Sequence, residues 1–117
     1  ALCGCVVAAT GASCAITYLM GGNKVRISYA IKNMIGNITG MICDGGNHGC
    51  TMKGIAAVDA AYQSVDFAMH GIYIQDVHGI NGNTAEETMR NMGLIASPGM
   101  VETEGTIVKI FEDKLKK

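Results

Sequence analysis

The first twenty residues carry no charged side chain. They are mostly small: Ala, Gly, Val, Ser and Thr, with cysteines at Cys3, Cys5 and Cys14. A helix without a polar face belongs inside a protein or inside a membrane. The length would suffice for a span, but the small and hydroxyl-bearing composition, the three thiols and the lack of a charged anchor favour a buried central helix over 2–20. Gly4 and Gly11 would let a neighbouring helix approach closely. Gly21-Gly22-Asn23 should end it, as glycine after the last periodic residue does.

Such a helix needs more cover than a small domain supplies. The chain has 117 residues, 49% hydrophobic and only 16% charged, against about 25% charged in ordinary domains. A domain of this size cannot bury most of its surface. The expectation is therefore that residues 1–117 form part of a larger helical domain. The opening Ala1-Leu2-Cys3, inside an apolar run and without Met, agrees with a C-terminal fragment whose missing N-terminal region is its first partner.

The remaining patterns also read as helices. Ile27, Ile31, Ile35, Ile38 and Ile42 recur at spacings of three and four, one helical face within 24–42. Gly36 and Gly40 again suggest tight packing. Residues 50–69 form a long helix whose apolar surface is expected from Met52, Ile55, Ala56, Val58, Ala60, Val65, Phe67 and Met69. Residues 72–83 read as a loop or a short helical turn. Thr84-Ala85-Glu86-Glu87 is a capping box for a helix to about Ile95, stopped by Ser97-Pro98-Gly99. The last helix runs from Thr103, its expected cap, to Lys116. Its buried face should be Ile107, Ile110, Phe111 and Leu115, with Glu112 and Lys116 as an i, i+4 pair. The fold class is all-α: about five helices with short connections, packed through small side chains.

Function classes narrow with the charge and the cysteines. Net charge is −1, with no basic stripe, so nucleic acid is not the expected partner. Lys114, Lys116 and Lys117 suit a helix C-terminus. Five cysteines cannot all pair, which points to a reducing, cytoplasmic setting rather than a secreted disulfide scaffold.

The chemistry concentrates in Cys43-Asp44-Gly45-Gly46-Asn47-His48-Gly49-Cys50. Gly45, Gly46 and Gly49 let the backbone turn tightly between the two thiols. Cys50 opens a helix, where free N–H groups and the dipole favour a thiolate. Metal or cluster binding, a redox-active dithiol, and plain structural burial all remain open from these residues. His48 and Lys53 are candidates for binding a substrate carboxylate, and Asp44 for shaping the loop through an Asx turn. Cys14 reads as a buried small hydrophobe. Helical periodicity puts Cys3 and Cys5 on different sides, so both would not bind one metal, and composition does not choose between them.

The stretch Gly40-Met41-Ile42-Cys43-Asp44-Gly45-Gly46-Asn47-His48-Gly49-Cys50-Thr51-Met52-Lys53 resembles the signature of the iron–sulfur L-serine dehydratase alpha-chain superfamily. It looks closest to the branch of cysteine desulfidases and serine-dehydratase-like proteins. Glu87-Thr88-Met89-Arg90-Asn91-Met92-Gly93 and Ser97-Pro98-Gly99-Met100-Val101-Glu102-Thr103 resemble that branch's C-terminal segment. The resemblance implies a 4Fe–4S cluster held by three cysteines, with one iron open. Two of them fall on Cys43 and Cys50. The third lies upstream in an apolar helical segment of small residues, which implies Cys3. It further implies a lyase that eliminates water or sulfide from L-serine or L-cysteine, leaving pyruvate and ammonia. The family's catalytic base or additional cysteine belongs to the N-terminal region, so this chain alone is expected to be inactive. Homo-oligomerisation is also expected. The loop here is shorter than in the dehydratase branch, which leaves the substrate open. Two other readings stand beside this one: a zinc-binding or redox-active dithiol accessory domain, and a non-catalytic helical interaction module.

Overall fold

A computed structural model describes residues 1–117 as five α-helices and no sheet: α1 (Gly4–Leu19), α2 (Lys24–Ile38), α3 (Gly49–Met69), α4 (Ala85–Leu94) and α5 (Val101–Leu115). The all-α reading holds. No helix is long and apolar enough to cross a membrane.

Helices α1, α2 and α3 pack against one another, and α4 lies on α2. The layer between α1, α2 and α3 is built from Ala9, Met34, Ala57, Ala60 and Ala61. A second cluster, Ile31, Ile35 and Ala85, joins α2 to α4, with Cys14 packed on its edge. Small side chains let the helices approach closely, and Met34 fills the remaining gap. At Gly36 a Cβ would stand 2.6 Å from Ile74 Cδ1, so this glycine serves close packing as expected. Gly4, Gly11 and Gly40 face open space instead.

Helix ends follow local chemistry. The amides of Gly21 and Gly22 return to the carbonyls of Tyr18 and Thr17 at 3.0 and 2.8 Å. This Schellman ending requires the left-handed backbone that Gly21 adopts (φ 86). Gly71 repeats it after α3, with Gly71 and Ile72 returning to Ala68 and Phe67. Thr84 accepts the Glu87 amide at 3.1 Å. The Glu87 carboxylate reaches back one residue further than a capping box predicts, to the Asn83 amide at 2.7 Å. Ser97 is extended (φ −151, ψ 120), as a residue before proline prefers, and it separates α4 from α5.

The connector 72–83 is a loop fixed by buried amides. Asn33 donates to Ser64 and Ile72 carbonyls and accepts from the Ile74 amide. Asn81 donates to the Lys32 and Ile74 carbonyls, both at 3.0 Å. Lys32 caps the far end by donating to the Asn83 carbonyl at 2.7 Å. Tyr29 and Tyr73 stack with centroids 3.9 Å apart.

Several expectations need correction. α2 ends at Ile38, so Ile42 is not on its face; residues 41–43 turn away to meet the start of the chain. On α3 the expected apolar surface is partly outward: Met52, Ile55 and Val58 are 73%, 59% and 51% exposed. Ala60 and Val65 are buried as expected, and the rest of the core face is supplied by Ala57, Ala61, Ser64 and Ala68. α5 begins at Val101 rather than at Thr103 and buries no residue; Leu115 is 88% exposed. Lys116 pairs with Asp113 at 3.3 Å, not with Glu112. The radius of gyration is 15.5 Å, against about 13 Å for a compact domain of this length. The shape is a thin slab, 54 × 27 × 16 Å.

Candidate functional site

Ala1–Cys3 and Met41–Cys43 meet as a two-stranded ribbon one residue pair long. Leu2 and Ile42 form an antiparallel bridge. The Cys3 amide donates to the Met41 carbonyl at 3.0 Å, and the Cys43 amide to the Ala1 carbonyl at 2.6 Å. Side chains alternate along extended backbone, so Cys3 and Cys43 lie on the same side of this ribbon, on either side of the bridge.

Cys50 arrives from the other end of the loop, as the second residue of α3. The loop is held by its own polar groups. Asn47 donates to the Gly45 carbonyl at 3.1 Å and accepts the Gly49 amide at 2.7 Å. The Cys50 thiol donates to the Gly45 carbonyl at 3.1 Å. Gly45 takes φ 94, and the Phe111 ring of α5 covers it: a Cβ there would be 3.5 Å from Cζ. Thus α5, though unburied, closes over the loop. Gly46 has nothing beside it, whereas Gly49 lies under the Asn47 side chain.

Lys53, one turn into α3, pairs with Asp44 at 2.5 Å and is mostly covered. The Lys53 ammonium and the Asn47 amide hold the Asp44 carboxyl below the usual carboxylate range. Asp44 in turn pushes Lys53 up. Asp44 therefore shapes the loop by pairing with Lys53 and Asn47, and Asn47 plays the turn-holding part expected of Asp44. His48 is exposed at the N-cap of α3 and makes no cap hydrogen bond. Sequence reasoning passed over Asn47; an Asn just before a helix start, after Gly-Gly, was the available signal.

The structure also corrects the placement of Cys5. Cys3 is not helical but the extended N-cap of α1 (φ −64, ψ 130), so helical periodicity does not separate the two thiols. The Cys3 thiol as hydrogen-bond partner, together with burial, pushes the Cys5 thiol up; Cys50 and Lys53 act on it at longer range. Cys14 stands apart: it donates to the Thr10 carbonyl at 3.3 Å, and burial raises its pKa.

A glycine-shaped Cys-x6-Cys loop with a third thiol fixed beside it is now set on a helical scaffold, and the comparison with known families decides the kinship. The family described as serine dehydratase alpha chain matches residues 1–109. This chain belongs to that family. The serine dehydratase alpha chain match takes in α1 to α4, the thiol loop and most of α5. Relatives named UPF0597 proteins occur in Parabacteroides distasonis, 55% identical over 114 residues, and in Clostridium botulinum, 49% identical over 117. A third, in Desulforapulum autotrophicum, is 47% identical over 116 residues. These alignments take in 97%, 99% and 98% of this chain but 26%, 28% and 26% of the relatives. The chain thus spans about a quarter of the length of the curated relatives it matches. No solved structure matches.

No three His, Cys, Asp or Glu side chains converge tightly enough to close around a single metal ion. A polynuclear cluster is larger than an ion, so its ligands stand apart around it rather than meeting at a point. Three thiols on two adjoining segments, with a glycine-rich loop between two of them, fit such a group by donor chemistry.

Proposed function

We propose that this chain carries the cluster-binding part of an iron–sulfur amino-acid lyase, with Cys3, Cys43 and Cys50 as ligands of a 4Fe–4S cluster. The whole protein would eliminate water or sulfide from L-serine or L-cysteine and leave pyruvate and ammonia, in a cytoplasmic setting. The observation that carries this reading is the Leu2–Ile42 bridge, which sets Cys3 beside the loop of Cys43 and Cys50. The membership in the serine dehydratase alpha chain family supports it.

When bound, the cluster would supply a Lewis-acidic iron that draws electron density from the departing hydroxyl or thiol. The protein's own residues do the rest. The thiol loop holds its shape through Asn47. Lys53 offers a positive charge for a substrate carboxylate, and Asp44 keeps that ammonium at the mouth of the loop. His48, exposed beside them, is the second candidate for binding the carboxylate.

Anaerobic reconstitution with iron and sulfide tests the reading. The visible absorbance of a cluster should form, and should be lost in Cys3→Ala, Cys43→Ala and Cys50→Ala but kept in Cys14→Ala. Tight stoichiometric zinc, indifferent to Cys3→Ala, would assign an accessory dithiol domain instead. Failure to bind either metal, with unreactive thiols, would leave a helical interaction module. Pyruvate release by the full-length protein from serine and from cysteine then assigns the substrate.

A further inference from the structure

Helix α1 buries two apolar residues, Val6 and Ala9, beside three hydroxyls. Its hydroxyl side chains point inward: Thr10, Ser13 and Thr17 are buried, and each returns its proton to a carbonyl of α1 itself at 2.7 Å. Its outward residues include Val7, Ala8, Gly11, Ala12, Ala15, Tyr18 and Leu19, among which the Tyr18 hydroxyl is the one polar side-chain group. Beside this face runs a shallow apolar groove of about 230 Å³. Cys5, Ala8 and Ala12 of α1 form one wall, and Gly54, Ala57 and Val58 of α3 the other. Ile55 and Tyr62 of α3, also exposed, extend the face. A helix normally turns its apolar stripe to the core and its polar residues to water. A contiguous apolar face of this kind marks a contact surface.

We propose that the α1–α3 face is covered by an apolar helix from the part of the full-length family protein that lies outside these 117 residues. Length supports this occupant over a second copy. The matched relatives are about four times as long as the region they share with this chain, so in them this region has about three times its own length of attached protein available to cover it. The small residues fit a helix as occupant: at Gly4, Gly11 and Gly54 no atom stands within 4 Å of an added Cβ, so a backbone can approach closely. Charge agrees, since α1 offers no ionic group to a polar partner. The groove begins at Cys5 and therefore beside Cys3. Its occupant would bring its own residues to the open side of the thiol loop. This inference rests on the face and on the family's length, and stands whether or not the loop binds a cluster.

The test is co-expression of the 117-residue chain with the unmatched portion of the Parabacteroides distasonis relative. A one-to-one complex should co-elute on size exclusion with light scattering. Ala12→Glu and Ile55→Lys, both at exposed positions, should each abolish it while the free chain keeps its helical circular dichroism. Val108→Glu on α5 should leave it intact. A homodimer of the chain that Ala12→Glu dissolves and the added portion does not displace would overturn the proposal in favour of a second copy. A complex that survives both face substitutions, or no complex at all with both partners folded, would overturn it outright.

Discussion

Leu2 pairs with Ile42 across an antiparallel bridge, and this one contact joins the start of α1 to the loop that opens α3. The two backbone bonds that flank it start from the Cys3 and Cys43 amides. The bridge therefore positions two of the three residues whose thiols are proposed as ligands.

Hydrogen exchange should show this directly. The Cys3 and Cys43 amides donate to carbonyls, whereas no hydrogen bond starts from the Gly46 or Asn47 amide. The first pair should exchange at least tenfold more slowly than the second, measured by NMR under reducing conditions. Equal rates would show that the bridge is not formed in solution.

Asn47→Ala should loosen the thiol loop. It removes the acceptor for Gly49 and the donor to Gly45. Loss of a comparable helix-start acceptor costs about 1 kcal/mol, and the lost bond to Gly45 adds about as much again. Urea unfolding should shift accordingly, and Asn47→Asp should not restore it, because it keeps the acceptor but sets a second carboxylate beside Asp44.

The Asp44–Lys53 pair predicts a pH dependence. Asp44 is more acidic folded than its unfolded value of about 3.9, owing first to Lys53. Its contribution to stability is therefore present above that value and disappears as pH falls through the lower, folded one. Lys53 is raised by Asp44, so its contribution is present below its unfolded value of about 10.4 and disappears as pH rises through the folded one. An NMR titration of the Asp44 carboxyl carbon should show the depressed value, and Lys53→Met should return it upward. An unchanged titration in Lys53→Met would remove the pair from the loop's electrostatics.

Asn33→Ala should be among the most damaging changes away from the thiols. Asn33 is buried and joins α2, α3 and the connector through three bonds. Removing it strands the Ile72 carbonyl and the Ile74 amide and takes a second bond from the Ser64 carbonyl, a loss of about 2–4 kcal/mol. Thermal unfolding should report it, and loss of the Tyr29–Tyr73 stack should accompany it in the near-ultraviolet circular dichroism.

The helices were legible because their signals are local. Gly21-Gly22 after α1, the Thr84–Glu87 cap and Ser97-Pro98 each act within a few residues, and each ends or starts a helix where expected. The orientation of those helices was not. The sequence marks Met52, Ile55 and Val58 as apolar, but apolar residues on several sides of α3 leave its rotation undetermined until α1 and α2 pack on the alanine side. For α5 the expected face reaches the loop only through Phe111, and none of its residues is buried.

The thiol site divides along the same line. Cys43, Cys50 and the glycines between them are neighbours in the chain, so their loop was readable from spacing alone, and the resemblance named Cys3. What brings Cys3 there is a pairing across forty positions, between Leu2 and Ile42, together with an extended N-cap that also returns Cys5 to the neighbourhood. Asp44 and Lys53 likewise become a pair only when the loop folds back on α3. The sequence by itself determined the helices, the ends marked by Gly21-Gly22, Thr84 and Ser97-Pro98, and the loop between two thiols, because backbone propensity and glycine freedom act locally. The tertiary structure alone decided where Cys3 sits relative to the loop, which helix faces are covered and that Lys53 is paired, because those depend on how separate segments pack.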